Sequence, residues 1–125
     1  WQKEKSKKHN HVQKIQMVKC SQTNVRRKKK KKWSIACLAQ DEEGNVLFIH
    51  CRSPYSVYDF INILLDLPLQ IQQAMYLEGG PEASLYIKTE DFEKAYIGSY
   101  ETGFFDNSNN VFWELPNVIG ISSKE

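Results

Sequence analysis

Residues 33–67 read WSIACLAQDEEGNVLFIHCRSPYSVYDFINILLDL, and their pattern decides the fold. Trp33–Gln40 and Val46–Cys51 are apolar runs of strand length, and the DEEGN segment between them is rich in turn formers. Two such runs joined by about five residues predict an antiparallel hairpin. Arg52–Tyr55, with Pro54, reads as the loop that follows. Ser56 then opens a helix: its hydroxyl can cap the first turn, with Asp59 three positions on as the reciprocal partner. Val57, Phe60, Ile61, Leu64 and Leu65 recur at the spacing of one helical face, while Asn62 and Asp66 take the other and Pro68 ends the run. A hairpin followed by one amphipathic helix over residues 56–67 predicts an α+β domain, a mainly antiparallel twisted sheet packed by that helix.

Downstream, Ala74–Leu77 reads as a short buried strand running into Glu78-Gly79-Gly80-Pro81. Ser84–Lys88 and Ala95–Tyr100 read as further strands and Val118–Ser122 as the last, with a surface loop over Thr102–Asn110. Upstream, Val12, Ile15, Met17 and Val18 predict a strand around Lys14–Cys20, followed by a turn at Ser21–Asn24. Arg26–Lys32 is seven consecutive cations, a block expected to be a solvated loop or edge segment. Residues 1–11 have no hydrophobic period and are expected to form a disordered basic arm, leaving 12–125 as a single domain.

Composition agrees with one folded unit. The 125 residues are 41% hydrophobic and include six Tyr, six Phe and three Trp, enough apolar surface for a core without staples. Whole-chain disorder and a disulfide-dependent miniprotein are excluded. No apolar run approaches the ~20 residues of a membrane-spanning helix. The net charge of +2 hides a division: residues 1–32 hold 13 of the 17 Lys and Arg against one acid, Glu4, and residues 33–125 hold the other four against 14 acids. Cys20, Cys37 and Cys51 form neither a CxxC pair nor a zinc spacing with His9, His11 or His50. No metal and no cofactor is expected, and Cys37, inside an apolar run, reads as a buried structural thiol.

Chemistry is concentrated in residues 74–86, AMYLEGGPEASLY. An apolar strand ends in a carboxylate, Glu78, followed by two glycines that allow positive φ and close backbone approach. Glu82 supplies a second carboxylate within four residues, so an acid/base pair is conceivable. Taken on spacing alone, a glycine-rich turn with two solvated acids is the simpler reading.

The same segment resembles the signature of the phosphodiester glycosidase family, in which an apolar strand leads into Asp-Gly-Gly and then small and hydroxyl residues. The order of parts is similar over roughly residues 13–122: the strand pair Trp33–Cys51 with its acidic Gly turn, the helix Ser56–Leu67, the strand end Leu77–Ser84, and the closing strand Pro116–Ile121 with an Asn. The likeness reaches the C-terminal half of the family pattern. Where the family has Asp before the glycines this chain has Glu78, and the family's Arg-Thr pair is here Trp33-Ser34. The resemblance implies a hydrolase acting on a sugar–phosphate glycosidic linkage, exported or periplasmic. It implies Glu78 as the catalytic group and Ser34, Gly79, Gly80, Glu82, Ser84 and Asn117 as substrate-binding residues. Arg26 or Arg27 would supply the phosphate-binding guanidinium. Glu78, Gly79 and Gly80 are expected to line the main pocket.

Two other readings stand beside it. A non-catalytic module could keep the pocket for glycan or anion recognition. Alternatively, the basic segment could neutralise several phosphates of a nucleic acid. Tyr and Phe are not interleaved with the lysines, so a base-stacking platform is missing and nucleic acid is disfavoured as the partner. His50 reads as a core or edge histidine, and the oligomeric state is not legible.

Overall fold

A computed structural model describes residues 16–101 and 107–124. The elements in chain order are β1 (Gln16–Lys19), β2 (Thr23–Asn24), β3 (Trp33–Asp41), β4 (Val46–Tyr55), α1 (Val57–Asp66), β5 (Ile71–Gly79), β6 (Leu85–Lys88) and β7 (Glu93–Tyr96). The first five strands form one antiparallel sheet in the order β2-β1-β5-β3-β4, and β6 and β7 form a separate hairpin. The architecture is the expected α+β.

The hairpin forms as its pattern dictates. Leu38 pairs with Phe48 and Gln40 with Val46, and Asp41 closes the turn by accepting from the Glu43 and Asn45 amides at 3.0 and 2.8 Å. The Asn45 side chain donates to the same carboxylate, and these bonds hold the Asp41 carboxyl below its ordinary pKa. β4 is longer than expected because Arg52–Tyr55 stays extended. Trp33 faces Tyr55 whereas Ile35 faces Cys51, so a bulge absorbs the extra residues of β4. Pro54 is tolerated there because β4 is an edge strand.

The helix also follows its sequence. The Asp59 amide donates to Ser56 Oγ at 3.1 Å and Ser56 Oγ donates to Asp59 Oδ2 at 2.9 Å. Phe60, Ile61 and Leu64 are buried, while Leu65 is half-buried. They pack on Ile35, Cys37 and Ala39 of β3, Ile71 and Ala74 of β5, and Met17 and Val18 of β1. The Cys37 thiol is buried, and that burial pushes its pKa up to about 12, so it serves as a small apolar core residue.

Other boundaries shift. β5 spans nine residues rather than four, because its central place between β1 and β3 supplies partners on both sides. β1 is described from Gln16, and Thr23–Asn24 pairs back onto it instead of remaining turn. The strand expected at Ala95–Tyr100 occupies Glu93–Tyr96. Val118–Ser122 is not a strand: Val118, Ile119 and Ile121 are exposed, and no described strand pairs with them. β-branched residues make a strand only where a neighbour is free to receive them. Arg27–Lys32 is exposed and irregular, in keeping with a solvated segment, but it is tied to the helix: Lys28 Nζ lies 3.8 Å from Asp59, and the Asn24 amide donates to Tyr58 O and Asn62 Oδ1. The expected basic arm, residues 1–11, lies outside the described residues. Among the described residues no helix is long and apolar enough to cross a membrane.

Candidate functional site

The cavity sits where β2 hands over to β3 beside the start of α1. Its volume is about 440 Å³, and it is lined by Gln16, Val25, Arg26, Arg27, Lys29, Lys31, Trp33 and Val57. Four of these eight are cations and none is an acid. Val57 is the first residue of α1, so the helix N-terminus adds its partial positive charge to theirs.

Arg26 is the best-held of the four. Its guanidinium carbon lies 5.9 Å from the centre of the Tyr76 ring, and its backbone amide donates to Asn24 Oδ1 at 2.9 Å. Burial pulls the guanidinium down from its ordinary pKa, with Tyr76 pulling the other way. Two buried donors in this wall, Arg26 Nε and Trp33 Nε1, make no hydrogen bond within the protein. Buried donors without a partner are uncommon, and here both belong to residues lining one cationic cavity.

Tyr76, beside Arg26, feels two acids. The Tyr76 hydroxyl is pushed up to about 12 by burial and then by Glu78, with Trp33 and Arg26 opposing and Glu82 adding to the rise. A bulge at Leu77 puts Tyr76 and Glu78 on opposite faces. Cys37 faces Tyr76 but its neighbour Ala36 faces Glu78, so Tyr76 shares the helix side of the sheet and Glu78 turns to the other.

The two glycines are occupied by the protein itself. A Cβ on Gly79 would run into the Tyr76 hydroxyl and the Trp33 indole, so its small size lets those rings pack. Gly80 sits at φ +71°, in the left-handed region, and starts the short 3₁₀ turn Gly80–Glu82. Glu78, Gly79 and Gly80 do not line this cavity, contrary to expectation. Glu78 is exposed at the end of β5, its carboxylate turned back toward the Gly79 amide at 3.4 Å, and Glu82 is half-buried.

The remaining predicted residues are scattered. Ser34 is fully buried: its hydroxyl donates to Arg52 O at 2.5 Å and accepts from the Ser99 and Tyr100 amides at 3.0 and 3.2 Å. It ties the 99–100 segment to the sheet. Ser84 Oγ is buried without a hydrogen bond, and Asn117 is exposed on the C-terminal stretch. The structure thus gathers Arg26, Trp33, Tyr76, Glu78 and Glu82 into one electrostatic neighbourhood, with Arg27 on the cavity wall, and leaves Asn117 on that separate, exposed stretch.

Sequence reasoning missed Tyr76, Lys29, Lys31 and Arg52. Tyr76 reads as one more apolar strand residue, and identical neighbours in a lysine run conceal which of them face a cavity. Arg52 bonds Ile97 O at 2.6 Å, Asn107 Oδ1 at 2.7 Å and Asn109 O at 2.8 Å, bracing the chain beyond β7. His50 Nε2 donates to Ala83 O at 2.8 Å, and burial lowers its pKa, so it holds the Ala83 turn as a neutral ring. Among the described residues no cluster of His, Cys, Asp and Glu could hold a metal ion.

Fold and site together define an α+β domain with a cation-walled cavity at the mouth of its helix. The phosphodiester glycosidase family model matches residues 3–122, and the chain belongs to that family. No curated protein and no solved structure matches it.

Proposed function

We propose that this protein binds and hydrolyses a sugar–phosphate glycosidic linkage, with the phosphate held in the cavity at Arg26 and Arg27. The cation-lined cavity carries the reading: two guanidinium groups, two ammonium groups and a helix N-terminus suit a phosphodiester and stabilise the phosphate as it leaves. Trp33 offers an apolar face to the attached group. In the reaction, water forms a bond to the anomeric carbon while the bond from that carbon to the phosphate oxygen breaks. The electron pair leaves with the phosphate monoester, and the proton of the water passes to the Glu78 carboxylate. Glu78 is close enough to Tyr76 to raise its hydroxyl, and the Tyr76 ring stands 5.9 Å from the Arg26 guanidinium carbon. Glu82, Gly79, Gly80, Ser84, Ser34 and Asn117 are the further contacts that the family likeness suggests.

One observation favours a binding module without turnover: no carboxylate lines the cavity itself. A glucosyl methyl phosphodiester separates the two readings. Under the hydrolytic reading the protein releases reducing sugar, Glu78→Gln lowers the rate at least 100-fold with binding retained, and Arg26→Gln weakens binding about tenfold or more. Binding without any sugar release would establish the module.

A further inference from the structure

Resting on the phosphodiester reading of this cavity, we infer that its ligand is a chain carrying several phosphodiester groups, such as a glycan or polyol phosphate polymer, rather than a single sugar phosphate. Arg26, Arg27, Lys29 and Lys31 line the cavity, whereas Lys28, Lys30 and Lys32 do not. The four lining cations form a row within six residues that leads to Trp33.

Charge counting then sets the ligand. A phosphodiester carries one negative charge, against four lining cations, Arg26, Arg27, Lys29 and Lys31. The nearest carboxylate on α1, Asp59, is shared by Ser56 and by Lys28, which is not a lining residue. Three cations stay unmatched by a monovalent ligand and are matched by a chain of phosphates laid along the row. Lys30 and Lys32 continue the charge on the exposed side of the same segment. A glycan or polyol phosphate is favoured over a single-stranded nucleic acid because the row ends in one aromatic residue and has none between its cations.

The test is calorimetric titration of the full chain with three probes: a glucosyl methyl phosphodiester, a trimeric glycosyl phosphate oligomer, and an oligothymidylate of the same charge. The oligomer is expected to bind at least tenfold more tightly than the single diester. Its log–log salt slope should be steeper by about 1.4, at roughly 0.7 for each added phosphate. In Lys29→Gln/Lys31→Gln the advantage should shrink below threefold, with thermal melting confirming the fold. Equal affinity for the diester and the oligomer overturns the inference while sparing the single-phosphate reading. Failure of both to bind overturns the two together. Oligothymidylate binding as tightly as the glycan oligomer replaces the proposal with nucleic-acid recognition.

Discussion

Ser34 shows how a residue acquires its role from three neighbours distant in sequence. A serine in an apolar strand has a hydroxyl to satisfy, and here one oxygen donates to Arg52 O and accepts from two amides some 65 positions away. Replacing it by alanine removes the one oxygen that bonds Arg52 O and both amides inside the protein. Ser34→Ala should cost about 1–3 kcal/mol, read as a lower urea midpoint with an unchanged slope. Loss of ligand binding without loss of stability would instead mark the hydroxyl as a contact to substrate. Tyr76 makes a related point. Its hydroxyl is raised to about 12 by burial and by Glu78, an effect of packing and of an acid two positions along the strand that its apolar neighbours in sequence do not announce.

At the scale of elements, α1 and the bulged strand β5 position the site between them. The helix seals one face of the sheet through Phe60, Ile61 and Leu64, the last of these only 2% exposed. Leu64→Ala should destabilise the fold by about 2–5 kcal/mol; chemical denaturation showing less than about 1 kcal/mol would mean that the helix does not carry the core. The same packing holds the helix N-terminus against the cavity, so a weakened helix should also loosen the anion site. The bulge in β5 decides which side chains meet Arg26: were Leu77 an ordinary paired residue of the ladder, Glu78 would share the face of Tyr76.

For the whole molecule, charge division becomes architecture. Residues 1–32 carry 13 cations and one acid, and their final run crosses from the outer strand β2 to β3, skipping β1 and β5. That crossing places Arg26, Arg27, Lys29 and Lys31 around one cavity, where their mutual repulsion opposes folding and a bound anion relieves it. Replacing chloride by phosphate at matched ionic strength should therefore raise Tm. At a phosphate concentration ten times Kd the mass-action gain is about 1.4 kcal/mol, on the order of 5 °C for a domain of this size. An identical Tm in the two salts would show that screening alone, and no bound phosphate, acts on the segment.

What the sequence by itself determined were the features written in local period and local chemistry. The hairpin follows from two apolar runs around DEEGN, the helix from the Ser56 cap and a stripe at helical spacing, and the family likeness from the ordered set around Glu78-Gly79-Gly80. Such signals act between residues a few positions apart, so they survive without the fold. Only the tertiary structure decided what the glycines and lysines are for. Gly79 makes room for Trp33 and Tyr76 rather than for a ligand, and four of the seven cations of a uniform basic run line a cavity. It also left Val118–Ser122 exposed and outside every described strand, although its β-branched residues favour a strand. The physical reason is the same in each case. A cavity, a close approach and a strand pairing depend on which distant backbone lies alongside, and one segment carries no record of its neighbour.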